Sequence, residues 1–395
     1  MRSMSKQVVY LINSPLSSRD FDRFGIQKWI SRGWNVKVFD ITKFIKPEFW
    51  MYVNGIQLSV DFDGLTIFDN IDEVLSILKS LENRVVFIDM IDFSNIEHKI
   101  RVSAFRRGVL IRRESQTIPV PFSYYKAEAI RKLPKLIKQP GILIAKIIKR
   151  IRIKRYTPNY RVVGGTISMV GINDKESSII RAHNLDYDFF IQEEEIDLSQ
   201  NDSYILFLDQ QGAYHSDFVH ANMKPYVTPN NYYPAIDSGL SRMAESLGLN
   251  VKVAEHPRSF YKANQIKYKH PMIKGNTFKL IRKAEVVVAH DSTALNWAIV
   301  MKKPIIFATT DEIQNTPTSA VALSPNFINN WAAILGKNVV NMDQISKINN
   351  WDPYLDVDEK IYEKYINTYL TQIEKPKKMY WDVVIDRIES DLFQK

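Results

Sequence analysis

Short apolar, β-branched runs recur along this chain, and most are followed by a stretch whose apolar positions return every three or four residues. Val8-Val9-Tyr10-Leu11-Ile12 predicts a strand, Phe21 to Arg32 a helix, and Val36-Lys37-Val38-Phe39 a second strand. Leu65-Thr66-Ile67-Phe68 and Val85-Val86-Phe87-Ile88 predict strands around a helix from Ile71 to Leu81. A less regular stretch, Arg106 to Phe122, follows. The rhythm then resumes with strands at Ile205-Leu206-Phe207-Leu208, Val251 to Ala254, Val286 to Ala289 and Ile305-Ile306-Phe307. Helical patterns over Asp237 to Leu247, Phe278 to Lys283 and Thr293 to Met301 lie between them, and two more, Asp358 to Ile373 and Tyr380 to Leu392, come last. Such alternation predicts an α/β fold of parallel sheets with helical crossovers.

With 395 residues the chain exceeds one ordinary core. The two runs of βα rhythm predict two Rossmann-like domains facing a cleft, residues 1–200 and 201–350, with closing helices at 351–395 packing back. The break is expected in the polar stretch Ser199 to Ser203. Hydrophobic residues at 45% and charged residues at 25% are globular values. Cysteine is absent, which removes disulfides, thiolate catalysis and Cys-ligated zinc and fits a reducing cytoplasm. No signal-peptide core and no 18-residue apolar run is present, so neither export by that route nor a membrane span is expected.

The net charge of +9 is concentrated. Between Lys126 and Arg155 stand eleven Lys/Arg and one acid, Glu128, which leaves the rest of the chain close to neutral. Isoleucines and leucines interleave with these cations, and Pro134, Pro140 and Gly141 divide the segment into short amphipathic pieces. That composition suits an anionic membrane surface, with Lys146, Lys149, Arg150 and Arg152 as binding residues. Nucleic acid is not expected, since no aromatic side chain for base stacking lies within the segment. A solvated face on core helices remains the alternative.

The chemistry gathers at strand ends. Ala254-Glu255-His256-Pro257-Arg258 and Ala289-His290-Asp291-Ser292-Thr293-Ala294 each follow an apolar run, and their starts lie 35 residues apart. In open α/β sheets ligands bind outside the carboxyl ends of strands. Ser292 and Thr293 stand at an expected helix start, where backbone N–H groups attract phosphate. The Ile205 strand ends in Asp209-Gln210-Gln211-Gly212, which places an acid beside a glycine. Neither a glycine-rich dinucleotide fingerprint nor a Walker loop occurs, which excludes dehydrogenase and kinase readings. Of three D-x-D triplets, only Asp186-Tyr187-Asp188 is placed to hold a divalent ion, and no metal is expected.

His256-Pro257, followed by Ser292-Thr293, resembles the HP and S-S/T motifs of bacterial GT-B glycosyltransferases of surface polysaccharide synthesis, above all those using CMP-activated sialic-acid or Kdo-type sugars. The likeness covers roughly residues 160 to 310. It implies a metal-independent enzyme without cofactor, moving an acidic sugar from a CMP donor to a glycan or lipid-linked glycan. The working place would be the inner face of the cytoplasmic membrane. It further implies that residues 1–200 carry the acceptor domain and 201–350 the donor domain. By the same likeness His256 stabilises the leaving phosphate, and Pro257, Arg258, His290, Asp291, Ser292, Thr293, Gln210 and Gly212 form the donor site. Where sialyltransferases carry a D/E-D/E-G motif with the catalytic base, this chain has Asp209-Gln210-Gln211-Gly212. The base is therefore Asp209 or a first-domain acid: Glu114, Asp89 or Asp92. Donors such as CDP-glycerol or a UDP-sugar, and a non-catalytic membrane scaffold, stay open.

Overall fold

The computed structural model describes residues 6–393 except 56–59, 83, 93, 115–118, 120–156, 171, 173–175, 193–202, 216–217, 220–222 and 317–324. The basic segment and its Lys146, Lys149, Arg150 and Arg152 lie outside the described residues. Described residues up to Glu114, from Thr157 to Leu185 and from Ile373 onward form one compact unit; those from Asp186 to Gln372, with Pro119, form the other. The division thus precedes the polar stretch expected to carry it.

The first unit is built on a seven-stranded parallel sheet: β1 (Gln7–Ile12), β2 (Asn35–Asp40), β3 (Leu65–Ile67), β4 (Val85–Met90), β5 (Gly108–Arg113), β6 (Tyr160–Val163) and β7 (Ser178–Arg181), in the order β3-β2-β1-β4-β5-β6-β7. Every β1 residue is buried. Val8, Tyr10 and Ile12 enter one apolar cluster, Val9 and Leu11 another, so both faces of the strand are covered. This is why β1 reads as an unbroken apolar run instead of an alternating one.

The second unit repeats the order with six parallel strands: β8 (Tyr204–Leu208), β9 (Asn250–Ala254), β10 (Met272–Ile273), β11 (Val286–Ala289), β12 (Ile305–Thr309) and β13 (Val339–Asn341), arranged β10-β9-β8-β11-β12-β13. Strand order reverses between β8 and β11, the position at which doubly wound sheets open a ligand crevice. Leu208 pairs with Ala254 on one side and Ala289 on the other. Asp209, Glu255 and His290 therefore leave the sheet at one level.

Several expectations are corrected in detail. The stretch read as irregular contains β5, whose Leu110 and Ile111 are buried but whose apolar run is only three residues long before two arginines. The single helix expected from Phe21 to Arg32 is two, Ser18–Arg23 and Ile26–Ser31, broken at Gly25 with φ 64°. A side chain at Gly25 would run into the Trp381 ring, so glycine serves both the turn and the packing. The helices after residue 351 do not act together. Glu359–Tyr365 belongs to the second unit, whereas Tyr380–Phe393 places Tyr380, Trp381, Val384, Ile385 and Ile388 in the first unit's core.

Candidate functional site

At the carboxyl end of β8, Asp209 is 3% exposed. Its Oδ1 accepts from the Gln211 backbone N–H at 2.6 Å and from the Tyr268 hydroxyl at 2.9 Å, and its Oδ2 from the Tyr261 hydroxyl at 2.9 Å. The His256 backbone N–H also donates to this carboxylate. One buried acid thus ties the β8 turn to the loop that begins with His256-Pro257. Burial pushes its pKa up to about 6, and these donors pull against that rise.

The hydrogen bonds continue across the sheet. Tyr268 Oη lies 3.2 Å from Tyr232 Oη, and Tyr232 Oη lies 2.8 Å from His290 Nε2. His290 Nδ1 is 2.7 Å from the Ala308 carbonyl, which can only accept, so Nδ1 carries the proton and Nε2 accepts from Tyr232. Burial lowers the pKa of His290 to about 4, which keeps the ring neutral. Tyr268 has one proton and two acceptors in reach. With Asp209 ionised it donates to the carboxylate. With Asp209 protonated the carboxyl can donate to Tyr268, whose proton then turns to Tyr232.

His256 is half-buried, and its Nδ1 accepts from the Arg258 backbone N–H at 3.2 Å, which places the neutral ring's proton on Nε2. The His215 ring stands 5.0 Å from it between centroids. Asp291 donates its backbone N–H to Gln210 Oε1 at 3.4 Å, which connects the β8 and β11 turns. Ser292 and Thr293 are half-buried, but the helix begins only at Leu295, and Ala294 makes the approach. Leu295, Asn296 and Trp297 donate instead to the carbonyls three residues earlier, and Ser292 Oγ accepts from the Ala294 N–H at 3.3 Å. The expected helix start is therefore a tight turn, and the two hydroxyls stand on it.

The structure accordingly sorts the residues singled out above. His256, Arg258, Ser292 and Thr293 are half-buried and Pro257 is exposed. His290 is fully buried with both ring nitrogens engaged, which makes it a core group and not a donor contact. Gly212 lies under Tyr232, whose ring a Cβ would meet, so its small size serves packing. Asp186 accepts from Asn296 Nδ2 at 3.3 Å and its carbonyl from Trp297 Nε1 at 2.7 Å, so this D-x-D is a structural turn.

In the first unit, Glu114 follows β5 and pairs with Arg161 and, at 3.5 Å, with Arg112. Asp89 is buried between Arg101, at 2.6 Å, and Arg112, at 3.1 Å, which corrects its reading as an open acid. Asp92 is exposed and pairs with Lys46 at 3.0 Å. The tyrosines that surround Asp209 were not legible beforehand. Tyr232, Tyr233, Tyr261 and Tyr268 lie in a helix and a loop whose spacing carries no signal, and only their shared approach to one acid joins them.

No protein-family model and no curated protein matches the chain. Solved structures do. The wall teichoic acid polymerase TagF aligns over 98% of this chain and 90% of its own at 10% identity, with a TM-score of 0.51. The calicheamicin glycosyltransferase CalG4 aligns over 99% of both chains at 10% identity, with a TM-score of 0.50. The fold is that of the GT-B glycosyltransferases.

Proposed function

We propose that this protein is a glycosyltransferase that moves an acidic sugar, of sialic-acid or Kdo type, from a CMP donor onto a bacterial surface glycan such as capsule, O-antigen or lipooligosaccharide, without a metal. The observation that supports it most is the common level at which β8, β9 and β11 end, which brings the Asp209 turn, the His256-Pro257 loop and the Asp291-Ser292-Thr293 turn to one rim of the second unit. A CMP-sugar leaves as a phosphate monoester, so charge accumulates on the departing oxygen. In this reading His256 donates to that oxygen, Arg258 adds positive charge, and the Ser292 and Thr293 hydroxyls hold the phosphate. Asp209 positions the His256 loop, since burial and four donors leave it poorly placed to take a proton from an acceptor. Glu114, at the end of β5 and paired with Arg161 and Arg112, is then the first-domain candidate for the base, and Glu114→Gln the variant that tests it. Attachment through residues 126–155 to the anionic inner face of the membrane belongs to the same reading; no helix among the described residues is long and apolar enough to cross a membrane.

A second reading is a related transferase using CDP-glycerol or a UDP-sugar, since an HP dipeptide and a serine pair such as His256-Pro257 and Ser292-Thr293 suit those donors as well. A thermal-shift series with CMP, CDP, UDP, GDP and dTDP separates the two: CMP is expected to raise the melting temperature most. A larger shift with CDP, UDP or GDP would overturn the donor assignment, and a shift with none of them would favour a scaffold. Ser292→Ala with Thr293→Ala is expected to weaken CMP affinity by roughly a hundredfold or more, as two hydrogen bonds to a charged group are lost. Unchanged affinity would leave Ser292 and Thr293 as turn residues only.

A further inference from the structure

The loop that carries His256 continues into a strongly one-sided stretch. From His256 to Ala284 the chain has eight Lys/Arg (258, 262, 267, 269, 274, 279, 282 and 283) and no Asp or Glu. The fold curls part of this stretch around an open cavity of about 570 Å³, lined by Lys267, Lys269, Lys274, Phe260, Tyr261 and Tyr268 among others. That volume is within the range of small-ligand sites, roughly 300–1,000 Å³. Glu255 is the one acid on its wall, and it accepts from Ser259 Oγ at 3.0 Å. Lys274 Nζ reaches the Ser259 carbonyl at 2.6 Å, which ties the wall to the His256 loop. Phe260 is 46% exposed.

We propose that this groove binds an anionic glycan, its carboxylates or phosphates on the lysines and a sugar face on Phe260. The reading rests on the transferase function above and names the class of acceptor. Three features support it. Three lysines stand against one acid, Glu255, on the wall, so the groove keeps a net positive charge that favours an anion. The site is concave, with one exposed aromatic ring, Phe260, on a mostly polar wall, which suits a sugar ring among charged groups; an adsorbing lipid surface needs a convex one. It also stands apart from the Ser292-Thr293 turn: it flanks β9 and β10 at the sheet edge, whereas that turn follows β11, beyond β8. The groove therefore adds to the donor site and does not duplicate it. Tyr268 joins them, since its ring lines the groove while its hydroxyl holds Asp209.

The test titrates the full chain with a hyaluronan hexasaccharide, a hexamer of glycerol phosphate and neutral chitohexaose. At least one anionic probe is expected to bind, more weakly as salt rises, and chitohexaose is not. Lys267→Gln with Lys269→Gln, both exposed positions, should weaken that binding by roughly fivefold or more, and the Glu versions further. The CMP thermal shift should persist in both variants, which separates this proposal from the donor assignment; loss of CMP binding with glycan binding intact would sink the assignment alone. The groove proposal is overturned if neither anionic probe binds, if chitohexaose binds equally, or if both double variants bind as the parent does. It is likewise overturned if their only defect is release from phosphatidylglycerol vesicles.

Discussion

Replacing His256 with alanine is expected to lower the turnover of a CMP-sugar donor by roughly 10²-fold or more, the usual cost of removing one charge-stabilising donor from an oxyanion site. The ring is half-buried at the end of β9, and the Arg258 N–H on its Nδ1 fixes the tautomer that carries a proton on Nε2. That proton is the one a departing phosphate oxygen requires. The loop itself is held from below through the His256 backbone, so the substitution removes the imidazole and leaves the Asp209 clamp intact. A fall in kcat with CMP affinity within a few-fold is therefore the expected signature. Parental turnover in His256→Ala would remove the central claim.

The second large effect is in stability. Asp209 has a folded pKa raised to about 6, so its contribution is complete below the ordinary carboxylate value and is lost as pH rises through 6. His290 has a folded pKa lowered to about 4; its contribution is complete above the ordinary histidine value and is lost as pH falls through 4. The two slopes oppose each other across the same window, each about 3 kcal/mol in full. Together they nearly cancel in the parent protein. Asp209→Asn should expose the histidine's slope, so that relative to the parent its stability improves by about 3 kcal/mol between pH 4 and pH 7. His290→Gln, which keeps one donor and one acceptor, should show the opposite trend. Denaturant unfolding at several pH values measures both differences, and groups common to all three proteins drop out. Two variants that track the parent with pH would mean that neither group titrates as described.

The sequence carried the strands that are buried on both faces, because a run such as Val286-Val287-Val288 has no other reading at that length and spacing. It also carried the placing of Asp209, His256 and Ser292 at strand ends, but not the sheet order that sets β8 between β9 and β11. What escaped it were strands held by their neighbours. β10 has two residues and β7 only one buried position, and each exists through pairing to a strand already formed. The role of His290 escaped it for a related reason. A histidine after an apolar run looks the same whether it faces a ligand or a tyrosine hydroxyl, and Tyr232 stands 58 residues away in the chain.

Tyr380–Phe393 has a further consequence, for synthesis. The second unit's residues end at Gln372, whereas the first unit takes Tyr380, Trp381, Ile385 and Ile388 into its core and joins Lys28 and Arg32 to Asp382. On the ribosome the first half therefore emerges with the surface around Gly25 and Trp29 uncovered. It must wait through the making of the whole second unit before that surface is sealed. The usual order, amino-terminal domain first, is reversed for the last step of assembly. A nascent chain stalled before Tyr380 would present a finished second unit beside a first unit still open to chaperones and proteases.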